Sequence, residues 1–182
     1  MIDARRWESE ASKVNESAHM STPIGFRVKG LDPRPYQHLY GQSDAALAAQ
    51  AVHRITATEH GRYPDRASLQ DALPGQTLLL FNHGHLDQPS PYAATHAIYL
   101  REGELEAAQF VDCLPPAWQG RSLAIRAIDA RDWIVQARLV DFEEAPRVIN
   151  DMLADPAVTH LHAHYPATGC LAARIERAGD DR

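Results

Sequence analysis

Residues Ser122–His164 read SLAIRAIDARDWIVQARLVDFEEAPRVINDMLADPAVTHLHAH. Leu123 and Ile125 point one way along an extended chain and Arg126 the other, because successive strand residues face opposite sides. Trp133–Phe142 is a second run rich in apolar and β-branched residues. The polar Asp129–Asp132 between them supplies turn chemistry, so Ser122–Ile128 and Trp133–Phe142 are expected to form a hairpin. The period then changes. From Ile149, Met152 and Leu153 fall at i+3 and i+4, with Val148 beside them, which is the stripe of a half-buried helix over Glu143–Asp155. Pro146 suits the first turn, Glu143 and Glu144 favour the positive end, and Asp155-Pro156 stops it. Val158–His164 returns to the two-residue period of a strand. Strands in consecutive runs with few helices imply an α+β fold on a mainly antiparallel sheet.

Outward from there the pattern continues. Gln76–His83 holds Leu78, Leu79, Leu80 and Phe81, apolar on both faces, which predicts a central strand buried on both sides. Thr95–Arg101, Phe26–Lys29 and Val52–Thr58 read as further strands, and Leu171–Glu176 as a strand or a short helix. Ser43 is placed to cap a short helix over Asp44–Gln50. Cys113–Gly120 is a Pro-rich connection. Residues 1–21 are polar and without period, and are read as an N-terminal arm or tag. A single globular domain is expected over 22–182.

A net charge of −6 and the lack of a basic cluster speak against nucleic-acid binding. Two well-separated thiols, Cys113 and Cys170, make no disulfide framework and no Cys-x-x-Cys metal motif. The charged start MIDARRWESE has no apolar signal region, and no apolar run is long enough to span a bilayer. A cytoplasmic protein without membrane contact is the expectation.

The chemistry concentrates in histidine. Six of the ten histidines fall between His83 and His164. In THLHAHYPATGC, Thr159–Cys170, strand alternation puts His160, His162 and His164 in one row. His83 and His85 leave the apolar strand in phase, and His96 opens the next one. Alternate imidazoles on a strand form a workable chelate for zinc or iron, and an imidazole is also the usual proton shuttle near neutral pH. Cys170 follows the turn and is a candidate nucleophile or ligand. Arg126 and Arg174 interrupt apolar runs and could hold a substrate anion. An Arg174–Glu176 surface ion pair is the plainer explanation of the latter. Phe81–Gln88, FNHGHLDQ, superficially matches the His-x-His-x-Asp-His metal motif of metallo-β-lactamase-fold hydrolases, but Gln88 stands where the next histidine should be.

Four segments together, FRVKGLDPRPYQHLYGQSD, LLLFNHGHLDQPSPYAATHAIYLREG, LAIRAIDA and LHAHYPATGCLAARIERA, resemble in matching order a bacterial family known only as domain of unknown function 1203. The resemblance implies a single cytoplasmic domain and supplies no reaction. Positions here that match the family's pattern are His85, Ser90-Pro91-Tyr92, His96, Arg126, Asp129, His162, His164, Cys170 and Arg174. His83 and His160 fall outside it, and His160 is therefore set aside as incidental. The family's Gly-Tyr-Pro-Cys-Arg segment is Arg62-Tyr63-Pro64-Asp65-Arg66 in this chain, so Asp65 replaces a thiol and becomes a candidate acid, base or ligand.

The expectation is a small-molecule enzyme of unknown reaction, conceivably biosynthetic. His85, His96, His162, His164, Cys170 and Asp65 are its catalytic candidates, and Arg126, Arg174 and Tyr92 its contacts to an anionic ligand. The histidines act either as general acid/base groups or, through His85, His162 and His164, as ligands of one zinc or iron ion. A non-catalytic binding or sensing module using the same pocket is the alternative, and a homodimer is left open. Either reading requires His85 and His96 to meet the His162/His164 pair in space.

Overall fold

The computed structural model describes residues 25–86 and 89–180. Its strands form two antiparallel sheets. The larger has six strands in the order β5 (Gln109–Val111), β1 (Phe26–Lys29), β9 (Leu171–Arg177), β8 (Val158–His164), β6 (Leu123–Asp129) and β7 (Ile134–Val140). The smaller has three, in the order β2 (His53–Thr56), β3 (Thr77–Gly84) and β4 (Thr95–Arg101). Two α-helices, α1 (Asp44–Ala48) and α2 (Ala145–Leu153), and short 3-10 turns at Arg34–Leu39 and Pro116–Trp118 complete the described residues. The fold is α+β and mainly antiparallel, as the alternation of periods predicts. The expected N-terminal arm lies outside the described residues. No helix among them is long and apolar enough to cross a membrane.

The hairpin and helix read from Ser122–His164 are present as β6, β7, α2 and β8. Val148, Ile149, Met152 and Leu153 of α2 pack on Ile125, Ala127, Leu161, Ala163 and Ile175 of the large sheet. Pro146 sits in the first turn without a side-chain cap, and Ser43 caps α1 by accepting from the Ala46 N–H. The C-terminal end of α2 is held from outside. Arg177 of β9 donates to the carbonyls of Leu153 and Asp155 at 2.6–3.1 Å, satisfying acceptors a helix end leaves bare. Leu171–Arg177 is thus a strand, the first of the two expected forms.

Strand β3 is central in the smaller sheet, and both its faces are covered. Leu79 and Phe81 join Leu39, Leu47, Val52 and Leu100 on one side, and Leu78 packs with Ala57 and Ala72 on the other. Strand β5 was not anticipated, because three residues are too few to display a period.

The segment after β1 ties the two sheets together. Leu31 N–H donates to the Arg66 carbonyl at 2.7 Å and Gly30 N–H to the Ala108 carbonyl at 2.9 Å. A Cβ at residue 30 would lie 2.0 Å from the Ala67 carbonyl oxygen, so only glycine permits this crossing.

Strand β8 lies in the middle of the large sheet, with Leu161 fully buried against α2. Leu161→Ala is expected to cost ~2–5 kcal/mol. The check is a lower urea midpoint at unchanged denaturant slope.

Candidate functional site

On β8 the apolar residues Leu161 and Ala163 face α2, and His160, His162 and His164 face the opposite way, with exposures of 5%, 2% and 1%. Their neighbours are set by strand register. His162 lies directly opposite Arg126 of β6 and Arg174 of β9, and Arg174 lies opposite Lys29 of β1. Cross-strand partners share a face, so cations flank the imidazole on both sides.

The smaller sheet brings the other histidines. His83 pairs with His96 across β3 and β4. The chain continues to His85, whose N–H bonds the Ala94 carbonyl at 3.3 Å. The His85 ring stacks on His96 with centroids 5.0 Å apart and meets His162 and His164 at 5.3 Å each. His96 lies 5.8 Å from His164, and His160 lies 4.9 Å from His162. The convergence that the sequence reading required is present. His160, set aside from the sequence, is buried in the same row. His83 is tied instead to the Tyr36 hydroxyl at 2.8 Å.

Hydrogen bonding fixes two tautomers. The Thr159 hydroxyl spends its single proton on the Ile128 carbonyl, so its oxygen accepts from His160 Nδ1, each at 2.9 Å. A carbonyl can only accept, so His164 Nδ1 donates to Gly169 at 2.9 Å. Both rings therefore carry hydrogen on Nδ1 and a lone pair on Nε2. Those two Nε2 atoms, and Nδ1 of His85, His96 and His162, are buried without a hydrogen-bond partner. An unmet buried polar group costs about 1–3 kcal/mol, so five in one place make this the candidate site.

Local backbone features aim His164. The β8–β9 register shifts between Ala163 and His164, and such bulges re-aim side chains. The following turn closes through Gly169 at φ +73°, which presents its carbonyl to His164, and a Cβ there would lie 3.6 Å from His96 Nε2.

Burial dominates the electrostatics by disfavouring the imidazolium form. It pushes His85 and His160 down to about 4 and His164 to about 3, with Arg126 and neighbouring imidazoles acting the same way on His85 and His164, and Arg174 on His160. His162 is lowered further, by burial and then by the surrounding rings. His96 is lowered by burial and by Arg126. The cluster is thus neutral at ordinary pH. One ligand atom from each of His85, His162 and His164 lies within 4.8 Å of the others. No carboxylate among the described residues joins that group. Glu176 is buried and engaged by Lys29 at 3.0 Å, with Arg27 and Arg174 at 3.8 Å. The expected Arg174–Glu176 pair is therefore long. Arg126, half-buried, makes no hydrogen bond or ion pair among the described residues.

A cleft of about 260 Å³ opens beside His85 and His162. Arg66, which the sequence reading passed over, lines it and is buried. Its guanidinium donates to the carbonyls of Leu171 and Pro64 and lies 5.1 Å over the Tyr165 ring. The signal for Arg66 was its place in the Tyr-Pro-x-Arg segment, where attention fell on Asp65 instead.

Three other candidates do not join the cluster. Asp65 is buried, and its oxygens accept from Ala67 N–H (3.3 Å), Ser68 N–H (2.8 Å), Ser68 Oγ (2.5 Å) and Arg101 N–H (2.8 Å). Arg101 closes the end of β4 opposite His96, ~16 Å away at strand rise. With every lone pair committed, Asp65 is a structural carboxylate that braces its turn against β4. Tyr92 packs edge-on to Trp133 at 6.2 Å, above the β6–β7 turn, and makes no ring contact with a histidine among the described residues. Cys170 is half-buried with its thiol toward the Thr168 carbonyl at 3.9 Å, and does not join the ligand group. Asp87 and Gln88 of the hydrolase-like motif lie outside the described residues.

These features define a class: a β-rich α+β protein with a buried polyhistidine site where two sheets meet. Within that class, residues 62–177 match the family described as protein of unknown function (DUF1203), and the chain belongs to it. The match takes in all five clustered histidines with Arg66, Arg126 and Arg174, and leaves out β1 and the segment around Asp32–Tyr40. Searches of curated proteins and of solved structures return no match.

In metal-free protein, long-range nitrogen–proton NMR is expected to show His160 and His164 as Nδ1–H tautomers that stay neutral at pH 6. Their folded pKa values lie below the unfolded ~6.5, so the unfolded chain binds more protons below that pH. Stability is therefore expected to fall as pH drops from ~6.5 toward 4, by up to about 1.4 kcal/mol per pH unit for each ring, as urea titrations would read. Asp65→Ala is expected to lower stability by ~3 kcal/mol while leaving the His160 and His164 resonances in place.

Proposed function

We propose that the protein is a small-molecule enzyme built round a single metal ion held by His85, His162 and His164. Zinc and iron(II) are the ions that suit three imidazoles. The observation that carries this reading is the convergence of three ligand atoms within 4.8 Å, with His164 fixed as an Nε2 ligand by its bond to the Gly169 carbonyl. A carbonyl accepting from the far ring nitrogen is how metal-binding histidines are usually oriented. Zinc–imidazole bonds of ~2.0–2.1 Å allow ligand atoms at most ~4.2 Å apart, so the set contracts modestly around an ion.

Magnitudes favour the metal over acid/base catalysis. A general acid or base works best with a pKa near the operating pH. His85 at about 4 and His164 at about 3 are far from that, while the neutral imidazole they keep is the form that ligates. Three protein ligands leave a coordination position open, the mark of catalytic rather than structural sites. His96, stacked on His85, lies next to the ligand set. With neutral ligands the ion's charge is undiminished, which suits polarising a substrate oxygen or lowering the pKa of bound water. Arg126 adds positive charge where a developing anion would need it.

Protein purified without added metal and analysed by elemental mass spectrometry is expected to hold zinc or iron, or to take up about one ion per chain on titration. His162→Ala and His164→Ala are each expected to reduce occupancy at least about tenfold, since ligand loss removes one of three bonds. A folded protein that binds neither ion sinks the proposal.

A further inference from the structure

We infer that the cleft beside the histidines seats a compact organic carboxylate, its carboxylate group held by Arg66 and Arg174 and its stem lying toward His85 and His162. This names the substrate class of the proposed site; the binding itself does not require the metal.

The charges lining the cleft are unbalanced. Arg66 is 5% exposed, and no carboxylate among the described residues pairs with it. Removing a guanidinium from water without a counter-ion is costly, and burial accordingly lowers its pKa. Carbonyl acceptors and the Tyr165 face compensate only in part. Arg174 is half-exposed, and its Glu176 contact is 3.8 Å long. The closest basic partner of Glu176 is Lys29 at 3.0 Å, so Lys29 is already spent. Asp32 is the only acidic residue on the wall among the described residues, and Arg34 holds both of its oxygens. Among the described residues, the cleft therefore presents two guanidiniums with no carboxylate in close contact. A pair of planar forks suits a planar two-oxygen anion.

The remaining wall sets the stem. Leu31, Ile98 and Leu171 supply apolar surface. At about 260 Å³ the space falls below the ~300–1,000 Å³ of drug-sized sites, so the ligand is small. His85 and His162 line the same cleft, so the end of the stem away from the arginines meets the cluster.

Calorimetry with butyrate, 1-butanol and inorganic phosphate, on metal-free and zinc-titrated protein, tests this. Butyrate is expected to bind the metal-free protein and 1-butanol not to. Arg174→Gln is expected to weaken butyrate about tenfold while leaving zinc uptake unchanged. Arg66→Lys is expected to weaken it too, the bidentate fork being lost. Because Arg66 also bonds two carbonyls and its variant can fail to fold, Arg174→Gln decides on its own. Butyrate binding no better than 1-butanol, binding indifferent to Arg174→Gln, or phosphate binding tenfold tighter than butyrate would each overturn the inference. Since affinity is read without metal, loss of the metal reading leaves this result standing, and the reverse holds for zinc uptake.

Discussion

A strand buried on both faces must satisfy two sets of side chains, and β8 meets that demand asymmetrically. Its Leu161 and Ala163 need only apolar neighbours, which α2 and the flanking strands provide. Its His160, His162 and His164 need hydrogen-bond partners, and Thr159 and the Gly169 carbonyl supply them for one nitrogen of His160 and of His164. One nitrogen of each of the three rings is left buried without a hydrogen-bond partner. The packing on the α2 side offsets the cost of leaving them bare, so one face of the strand stabilises the fold and the other carries the unpartnered imidazoles.

The chain carries a net charge of −6, yet the wall around the cluster is cationic. Net charge governs solubility and long-range association, whereas a buried site responds to the few charges within reach and to its low dielectric. Arg126 and Arg174 flank His162 on one rung, and burial keeps the imidazoles uncharged. Those two facts reinforce one another: imidazolium ions beside guanidiniums would repel, and neutral rings do not.

Much of this was legible in the residues. Strand alternation in THLHAH placed three rings on one face, and the change of period through Ser122–His164 predicted the hairpin, the helix and the returning strand. Those are local signals, carried by steric periods of two and 3.6. What could not be read was register. Nothing in the sequence order puts β8 between β6 and β9, so the Arg126–His162–Arg174 rung was invisible until long-range pairing fixed it. The burial of His160, which stays outside the ligand group, was hidden for the same reason, since it depends on what lies above the strand. Asp65 was misread because a carboxylate beside a turn looks alike whether it faces a substrate or, as here, three backbone N–H groups. Arg66 stood in the Tyr-Pro-x-Arg segment, but its burial could not be read there, since its surroundings come from β9 and Tyr165.

The cluster draws His85 and His96 from one sheet and His160, His162 and His164 from the other. Neither sheet alone could assemble it. An ion held by His85, His162 and His164 would therefore act as a clasp between separately built halves, and its binding energy would be released only after both had formed and docked. In kinetic terms the clasp would slow the parting of the sheets without hastening their assembly, the signature of a contact made after the folding barrier is crossed.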